Sequence, residues 1–150
     1  MRIGIDIDNT LTDIEDELEN AVKIYAKSLG KSEIADYIDL VDNNDGNIYQ
    51  ARFDFTYDEL KYFLKDIQEN ITINALPRKD VVESIAYLRK KGNKIYIITA
   101  RDSEFHDNPY KLSKEWLDKN NIEYDKLIVN ARDKAQICKD EKIDLFIDDK

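Results

Sequence analysis

The sequence predicts an α/β fold: a parallel β-sheet flanked by helices, with a small helical unit inserted after the first strand. Three observations carry this expectation. Short apolar runs rich in β-branched residues recur at 2–8, 93–99, 126–130 and 143–148, as expected of strands buried on both faces of a parallel sheet. From Pro77 onward these runs alternate with stretches of helical apolar period, which is the pattern of strand–helix–strand crossovers. The gap between the first and second runs exceeds the roughly thirty residues of one crossover unit by on the order of fifty to sixty. A structureless loop of that length would be exceptional in a compact domain, and the gap contains helix patterns of its own.

Each element has its own signal. In the first strand Ile3, Ile5 and Ile7 alternate with Gly4 and Asp6. Residues 13–29 place Ile14, Leu18, Ala21, Val22, Tyr25 and Leu29 at helical spacing, with Gly30 as the stop. The run V-D-N-N-D-G-N at 41–47 is turn chemistry. Residues 57–69 carry Leu60, Phe63, Leu64 and Ile67, and residues 79–91 carry Val81, Val82, Ile85 and Leu88, closed by Gly92. Helices are also expected over 110–120, with Leu112, Trp116 and Leu117, and over 132–141, with Ala135, Ile137 and Cys138. The resulting organisation is a Rossmann-like core of residues 1–13 and 77–150, with a helical cap over 14–76. There is no internal repeat and no low-complexity tract.

Composition narrows the function classes. Of 150 residues, 42% are hydrophobic and 37% charged, and 23 basic against 32 acidic side chains give a net charge of −9. Such a chain repels nucleic-acid backbones and anionic membranes, and no basic stripe offsets that, so neither a nucleic-acid polymer nor a membrane is an expected partner. The single cysteine, Cys138, excludes an internal disulfide and reads as a buried, unreactive thiol. The single histidine, His106, excludes a zinc site built on several His or Cys ligands. Apolar runs such as Ile95 to Ala100 are too short to cross a bilayer. The N-terminus enters a strand pattern without a signal-peptide core, so the cytoplasm is the expected location.

The chemistry lies at the strand ends. The first strand closes on D-I-D-N-T, with Asp6, Asp8 and Thr10. Carboxylates two apart on a strand point to the same side, and the C-terminal edge of a parallel sheet is where such folds bind ligands. The last strand closes on Asp148 and Asp149. If these two strands are neighbours, four carboxylates converge. Two like charges 4 Å apart repel by roughly 4 kcal/mol at an effective dielectric near 20, so the cluster needs a cation or protons, and an all-oxygen donor set points to Mg²⁺. Thr99 ends the second strand and is followed by Arg101, which could clamp a phosphate or pair with Asp102. Lys134 follows the third strand near a helix start, where it could neutralise a phosphoryl group.

This set resembles the haloacid-dehalogenase superfamily of phosphatases. D-I-D-N-T matches that superfamily's D-x-D-x-T motif, Thr99 its Ser/Thr motif, Lys134 its Lys motif and Asp148-Asp149 its acidic motif. A helical cap after the first strand is similar to one cap class of the superfamily. Within it, I-D-I-D-N-T-L-T-D and I-T-A-R resemble a bacterial group of 5′(3′)-deoxyribonucleotidases. The resemblance implies a phosphomonoesterase acting on a small phosphorylated metabolite, a nucleoside monophosphate in the first place and a sugar phosphate as the alternative. It implies Asp6 as nucleophile, forming an aspartyl-phosphate, and Asp8 as general acid and base. Thr99 and Lys134 would then hold the phosphoryl oxygens, with Mg²⁺ on Asp6, the Asp8 carbonyl, Asp148 and Asp149. Thr10, Arg101, Phe53 and Tyr57 are the expected substrate contacts, the two aromatics as candidates for stacking on a base.

The resemblance has one departure. The superfamily fold usually continues with a further strand and helix, whereas this sequence ends at Lys150 directly after the acidic pair. A shortened sheet lacking its C-terminal strand is therefore expected, with the fourth strand as an exposed edge. A second copy of the chain is one candidate to cover it, which would make a homo-oligomer. Two other classes compete with the enzyme. A receiver-type phospho-acceptor also gathers acids, Thr and Lys at a sheet edge, but it carries its acceptor Asp after the third strand, where this chain has Val129 and Asn130. A catalytically inactive metal-binding remnant would keep the cation without turnover. The D-N-N-D-G run at 42–46 lacks the twelfth-position Glu of a calcium loop.

Overall fold

A computed structural model describes residues 1–35 and 48–149. The turn expected at 41–47 and the D-N-N-D-G run lie outside the described residues. In chain order the described elements begin with β1 (Arg2–Ile5), α1 (Glu15–Ser28), α2 (Ile48–Phe53) and α3 (Tyr57–Tyr62). A π-helical segment (Phe63–Gln68), α4 (Glu69–Asn74), α5 (Val81–Lys90) and β2 (Lys94–Ile98) follow. The chain then forms α6 (Pro109–Lys119), β3 (Lys126–Ile128), α7 (Lys134–Asp140) and β4 (Leu145–Ile147). Packing separates two units, Met1–Ile14 with Thr72–Lys150, and Glu15–Ile71, where the sequence pattern places the boundaries at 13 and 77.

The first unit is built on a four-stranded parallel sheet in the order β3-β2-β1-β4. Residues paired across parallel strands share a face. The register sets Ile3 beside Ile95, Ile5 beside Ile97 and Ile97 beside Leu127, so one face of the sheet is a continuous branched apolar surface. Ile85 of α5 and Trp116 and Leu117 of α6 bury against it, with Ile122 and Leu11. The Trp116 indole N–H donates to the Ala75 carbonyl at 2.9 Å, which satisfies its one polar atom. On the other face, Gly4 admits its neighbours: a methyl group there would meet the Phe146 ring at 2.8 Å and Ile98 at 3.1 Å.

The strands are shorter than the apolar runs. β1 ends at Ile5 because the chain then wraps: the Thr10 and Leu11 N–H groups donate to the Ile7 carbonyl at 3.2 and 2.9 Å, and Asn9 takes the left-handed conformation with φ of 60°. β3 ends before Asn130, which is left-handed at φ of 57°. Asn108 caps α6 by accepting from the Lys111 N–H at 3.0 Å, with Pro109 at the first position. α7 buries none of its residues fully, so Cys138 is half-buried rather than enclosed as the apolar period suggested. Among the described residues no helix is long and apolar enough to cross a membrane.

The second unit is helical. α1 buries Leu18, Val22 and Ala26 and stops at Gly30, whose φ of 70° lets the Lys31 N–H reach back to the Ala26 carbonyl at 2.9 Å. Thr56 and Glu59 form a capping box at the start of α3. The helix expected over 57–69 instead runs α, π, α, because the Phe63–Gln68 segment takes a wider turn that the 3.6-residue period does not reveal. Aromatic rings cluster in this unit: the half-buried Tyr25 ring lies 5.4 Å from the buried Phe55, 5.9 Å from the buried Phe63 and 5.6 Å from the exposed Tyr62. Arg52 is buried, and its guanidinium donates to Glu19 of α1 and, at 3.0 Å, to Glu33. The hydrogen bond from Arg52 is the main reason the Glu19 carboxyl is held at about 2, below the usual carboxylate range.

Two outcomes follow. Gly4→Val should lower the urea midpoint at unchanged slope, by about 1–3 kcal/mol of overpacking; an unchanged midpoint would mean the sheet face yields. Because the Glu19 pKa is lower folded than unfolded, its contribution is fully present above the ordinary value near 4.5 and is lost as pH falls toward about 2. Acid unfolding of Glu19→Gln should therefore show its largest deficit against wild type above pH 4.5 and converge with it near pH 2.

Candidate active site

The strand order places β1 at the centre, between β2 and β4, so the residues that leave these strands emerge at one edge. Asp6 follows β1 directly, its backbone N–H still donating to the Ile147 carbonyl of β4 at 3.0 Å. The residue is almost fully buried, at 5% exposure. One carboxylate oxygen from each of Asp6, Asp148 and Asp149 lies within 4.8 Å of the others. Lys134, the first residue of α7, reaches into the same place, with Nζ 3.3 Å from Asp6 Oδ1 and 3.0 Å from Asp148 Oδ2. Asp133 caps that helix by accepting from the Gln136 N–H at 2.9 Å.

The charge balance is uneven. Burial raises the Asp6 carboxyl to about 7; Lys134 opposes the rise, and Asp8 and Asp148 add to it. Burial also pushes Asp148 up, but hydrogen bonds from Asp149 and Lys134 outweigh it and hold Asp148 below the usual range. Burial and the shared contact with Asp148 raise Asp149. For Lys134, desolvation is outweighed by Asp6 and Asp148, and its pKa rises. One ammonium thus faces three carboxylates. Hard oxygen donors with negative charge in excess suit a divalent cation such as Mg²⁺, and Asp6, Asp148 and Asp149 are the residues that could hold it.

The fourth acid does not join this cluster by its side chain. Both Asp8 carboxylate oxygens accept from Arg101, Nε at 3.0 Å and Nη2 at 2.8 Å. Asp102, the partner weighed for Arg101 from the sequence, pairs with Arg132 at 3.1 Å. The Arg101 side chain is 5% exposed, and its Nη1 donates to Ser113 of α6 at 3.3 Å. Thr99 is buried at the end of β2, with its hydroxyl oxygen accepting from the Arg101 N–H at 3.3 Å. The Thr10 hydroxyl oxygen is buried with no hydrogen-bond partner among the described residues.

Phe53 and Tyr57 lie in the second unit. Phe53 is 3% exposed and stacks on Phe55 at 5.5 Å, under the Arg52 guanidinium at 4.9 Å, so its ring offers almost no surface to a base. Tyr57, at the start of α3, is 48% exposed. His106 is buried in the loop before α6, and its N–H donates to the Asp102 carbonyl at 3.2 Å.

Two residues had no distinct sequence signal. Arg78 donates to the Asn9 and Thr10 carbonyls at 3.1 and 3.2 Å, and so braces the turn that carries Asp8. Ser113 sits on the buried face of α6, three residues before Trp116; a small polar residue on that face was the available hint.

No protein-family model matches the chain. It is 29% identical over 150 residues to a Bacillus subtilis (strain 168) protein named "Putative nucleotidase YqfW", covering 99% of this chain and 70% of the relative. It is 28% identical over 155 residues to a Bacillus cereus protein named "Putative nucleotidase", covering 100% and 77%. Among solved structures, a Haemophilus somnus 129pt protein titled "predicted phosphoglycolate phosphatase" superposes with a TM-score of 0.60 at 16% identity, over 96% of this chain and 74% of that one. A Thermotoga maritima protein titled "putative beta-phosphoglucomutase" superposes with a TM-score of 0.55 at 16% identity, over 89% of this chain. This chain spans 62% of the Thermotoga protein's length. The chain therefore has the haloacid-dehalogenase fold.

Proposed function

We propose that the protein is a Mg²⁺-dependent phosphomonoesterase that hydrolyses a small phosphorylated metabolite, a nucleoside monophosphate, through an aspartyl-phosphate on Asp6. The observation that carries this reading is the convergence of Asp6, Asp148 and Asp149 within 4.8 Å, with the Lys134 ammonium on Asp6 and Asp148. An acid cluster half-neutralised by one cation is costly in an empty protein and useful around a phosphoryl group. Relatives that span nearly the whole chain carry the name nucleotidase, which supports the choice of substrate.

The chemistry follows from the placement. An Asp6 carboxylate oxygen attacks phosphorus; the P–O bond to the leaving group breaks as the Asp6–phosphorus bond forms. Asp8 gives its proton to the departing oxygen. Water then attacks the aspartyl-phosphate, loses a proton to Asp8, and releases inorganic phosphate and the Asp6 carboxylate. Lys134 offsets charge on the phosphoryl oxygens, and the Thr99 and Thr10 hydroxyls hydrogen-bond them in this reading. When bound by Asp6, Asp148, Asp149 and the Asp8 carbonyl, Mg²⁺ supplies charge neutralisation to the same oxygens.

The test is hydrolysis of p-nitrophenyl phosphate and of a panel of nucleoside monophosphates and sugar phosphates in Mg²⁺. Wild type should turn over, with nucleoside monophosphates ahead of sugar phosphates in kcat/KM. Asp6→Asn should lose about 10³-fold or more in kcat while remaining folded. Mg²⁺ alone should raise the melting temperature of wild type and not that of Asp148→Asn. Undiminished turnover by Asp6→Asn would refute the nucleophile, and a clear preference for sugar phosphates would refute the substrate.

A further inference from the structure

Resting on the hydrolase reading, we infer that Arg101 acts through Asp8: it is a positioning residue whose guanidinium fork sets the carboxylate that carries the proton, and it does not hold the substrate phosphate. Three observations support this. The planar fork meets both Asp8 oxygens, Nε at 3.0 Å and Nη2 at 2.8 Å, an arrangement that fixes the plane of a carboxylate as a single ammonium cannot. Each Asp8 oxygen keeps a second lone pair for the proton in transit. The fork itself is anchored from behind. Its Nη1 donates to the fully buried Ser113 at 3.3 Å. The Arg101 N–H donates to the Thr99 hydroxyl at 3.3 Å, and its carbonyl accepts from the Asn130 N–H at 2.8 Å. Finally, the side chain is 5% exposed. A guanidinium whose fork is closed on Asp8 and whose surface is covered has little left with which to grip a substrate anion.

The assignment has a kinetic signature. In the first step the proton goes from Asp8 to the leaving oxygen; in the second it returns from water as the Asp6–phosphorus bond breaks. A p-nitrophenolate leaves without that proton, whereas an alkoxide does not. Disturbing Asp8 should therefore spare aspartyl-phosphate formation from an aryl phosphate while slowing its hydrolysis. With alkyl phosphates, whose leaving oxygen needs the proton, the expected result for Arg101→Gln and Arg101→Lys is a loss of about 10- to 100-fold in kcat at little changed KM, within the about 10²–10⁴ that a positioned acid–base contributes. With p-nitrophenyl phosphate, both variants should release a burst of about one equivalent of p-nitrophenolate, and quenched protein should carry a phosphoryl group on Asp6. The double variant Asp8→Asn/Arg101→Gln should be no slower than Asp8→Asn alone.

A raised KM at unchanged kcat, or losses that multiply in the double variant, would overturn the inference and make Arg101 a phosphate clamp. Should the variants fail to fold, a crystal structure of wild type with orthovanadate and Mg²⁺ decides: Arg101 on Asp8 supports the inference, and Arg101 on a vanadate oxygen overturns it. Failure of wild type to cleave any phosphate ester would overturn the hydrolase reading and this inference with it, whereas a clamp signature in an active enzyme overturns the inference alone.

Discussion

Everything around the sheet edge is arranged about one buried carboxylate. Asp6 ends the central strand, where burial makes a lone charge expensive, and the two acids that close β4 make the local field worse. Lys134 is the protein's answer: its ammonium lies within 3.3 Å of Asp6 and 3.0 Å of Asp148. The fold supplies Lys134 from the start of a short helix after β3, two strands away from β1. The hydrogen-bonded ladder of a parallel sheet is what keeps that reach constant. A sheet in another order would leave Asp6 buried without either a counter-ion or its acidic neighbours.

The two acids of D-I-D-N-T are therefore held by different cations. Lys134 serves Asp6, and Arg101 serves Asp8. In the proposed mechanism the difference in partner suits the difference in task. An ammonium is a compact point charge that can shift between a carboxylate and a phosphoryl oxygen, while a guanidinium fork holds one carboxylate in one plane. The turn between the acids is braced separately by Arg78 on the Asn9 and Thr10 carbonyls, so neither acid depends on a free loop for its position.

The helical unit solves a different problem. It is small, and it relies on a cluster of aromatic rings around Tyr25 and on a buried Arg52 paired with Glu19 and Glu33. A buried arginine with two acids adds little stability relative to an apolar replacement, yet removing one partner is costly. Phe53 belongs to this interior, and an aromatic residue packed inside a small unit looks the same in a sequence as one waiting for a ligand.

The sequence by itself determined the fold class, because each strand is a short β-branched run and period two or continuous burial is a local property. It also singled out Asp6 and Asp8, because acids inside an apolar strand pattern stand out against the cost of burying them, and Asp148, Asp149 and Lys134 by their positions at a strand end and a helix start. The π-helical segment and α2 were not legible: the first changes the helical period within one turn, and the second spans six residues, too few to show a period. Pairing was left to the tertiary structure. Arg101 stands next to Asp102 and 93 residues from Asp8, and only the parallel alignment of β1 with β2 brings the distant acid into the fork. Contacts between strand ends depend on sheet order, which no run of neighbouring residues encodes.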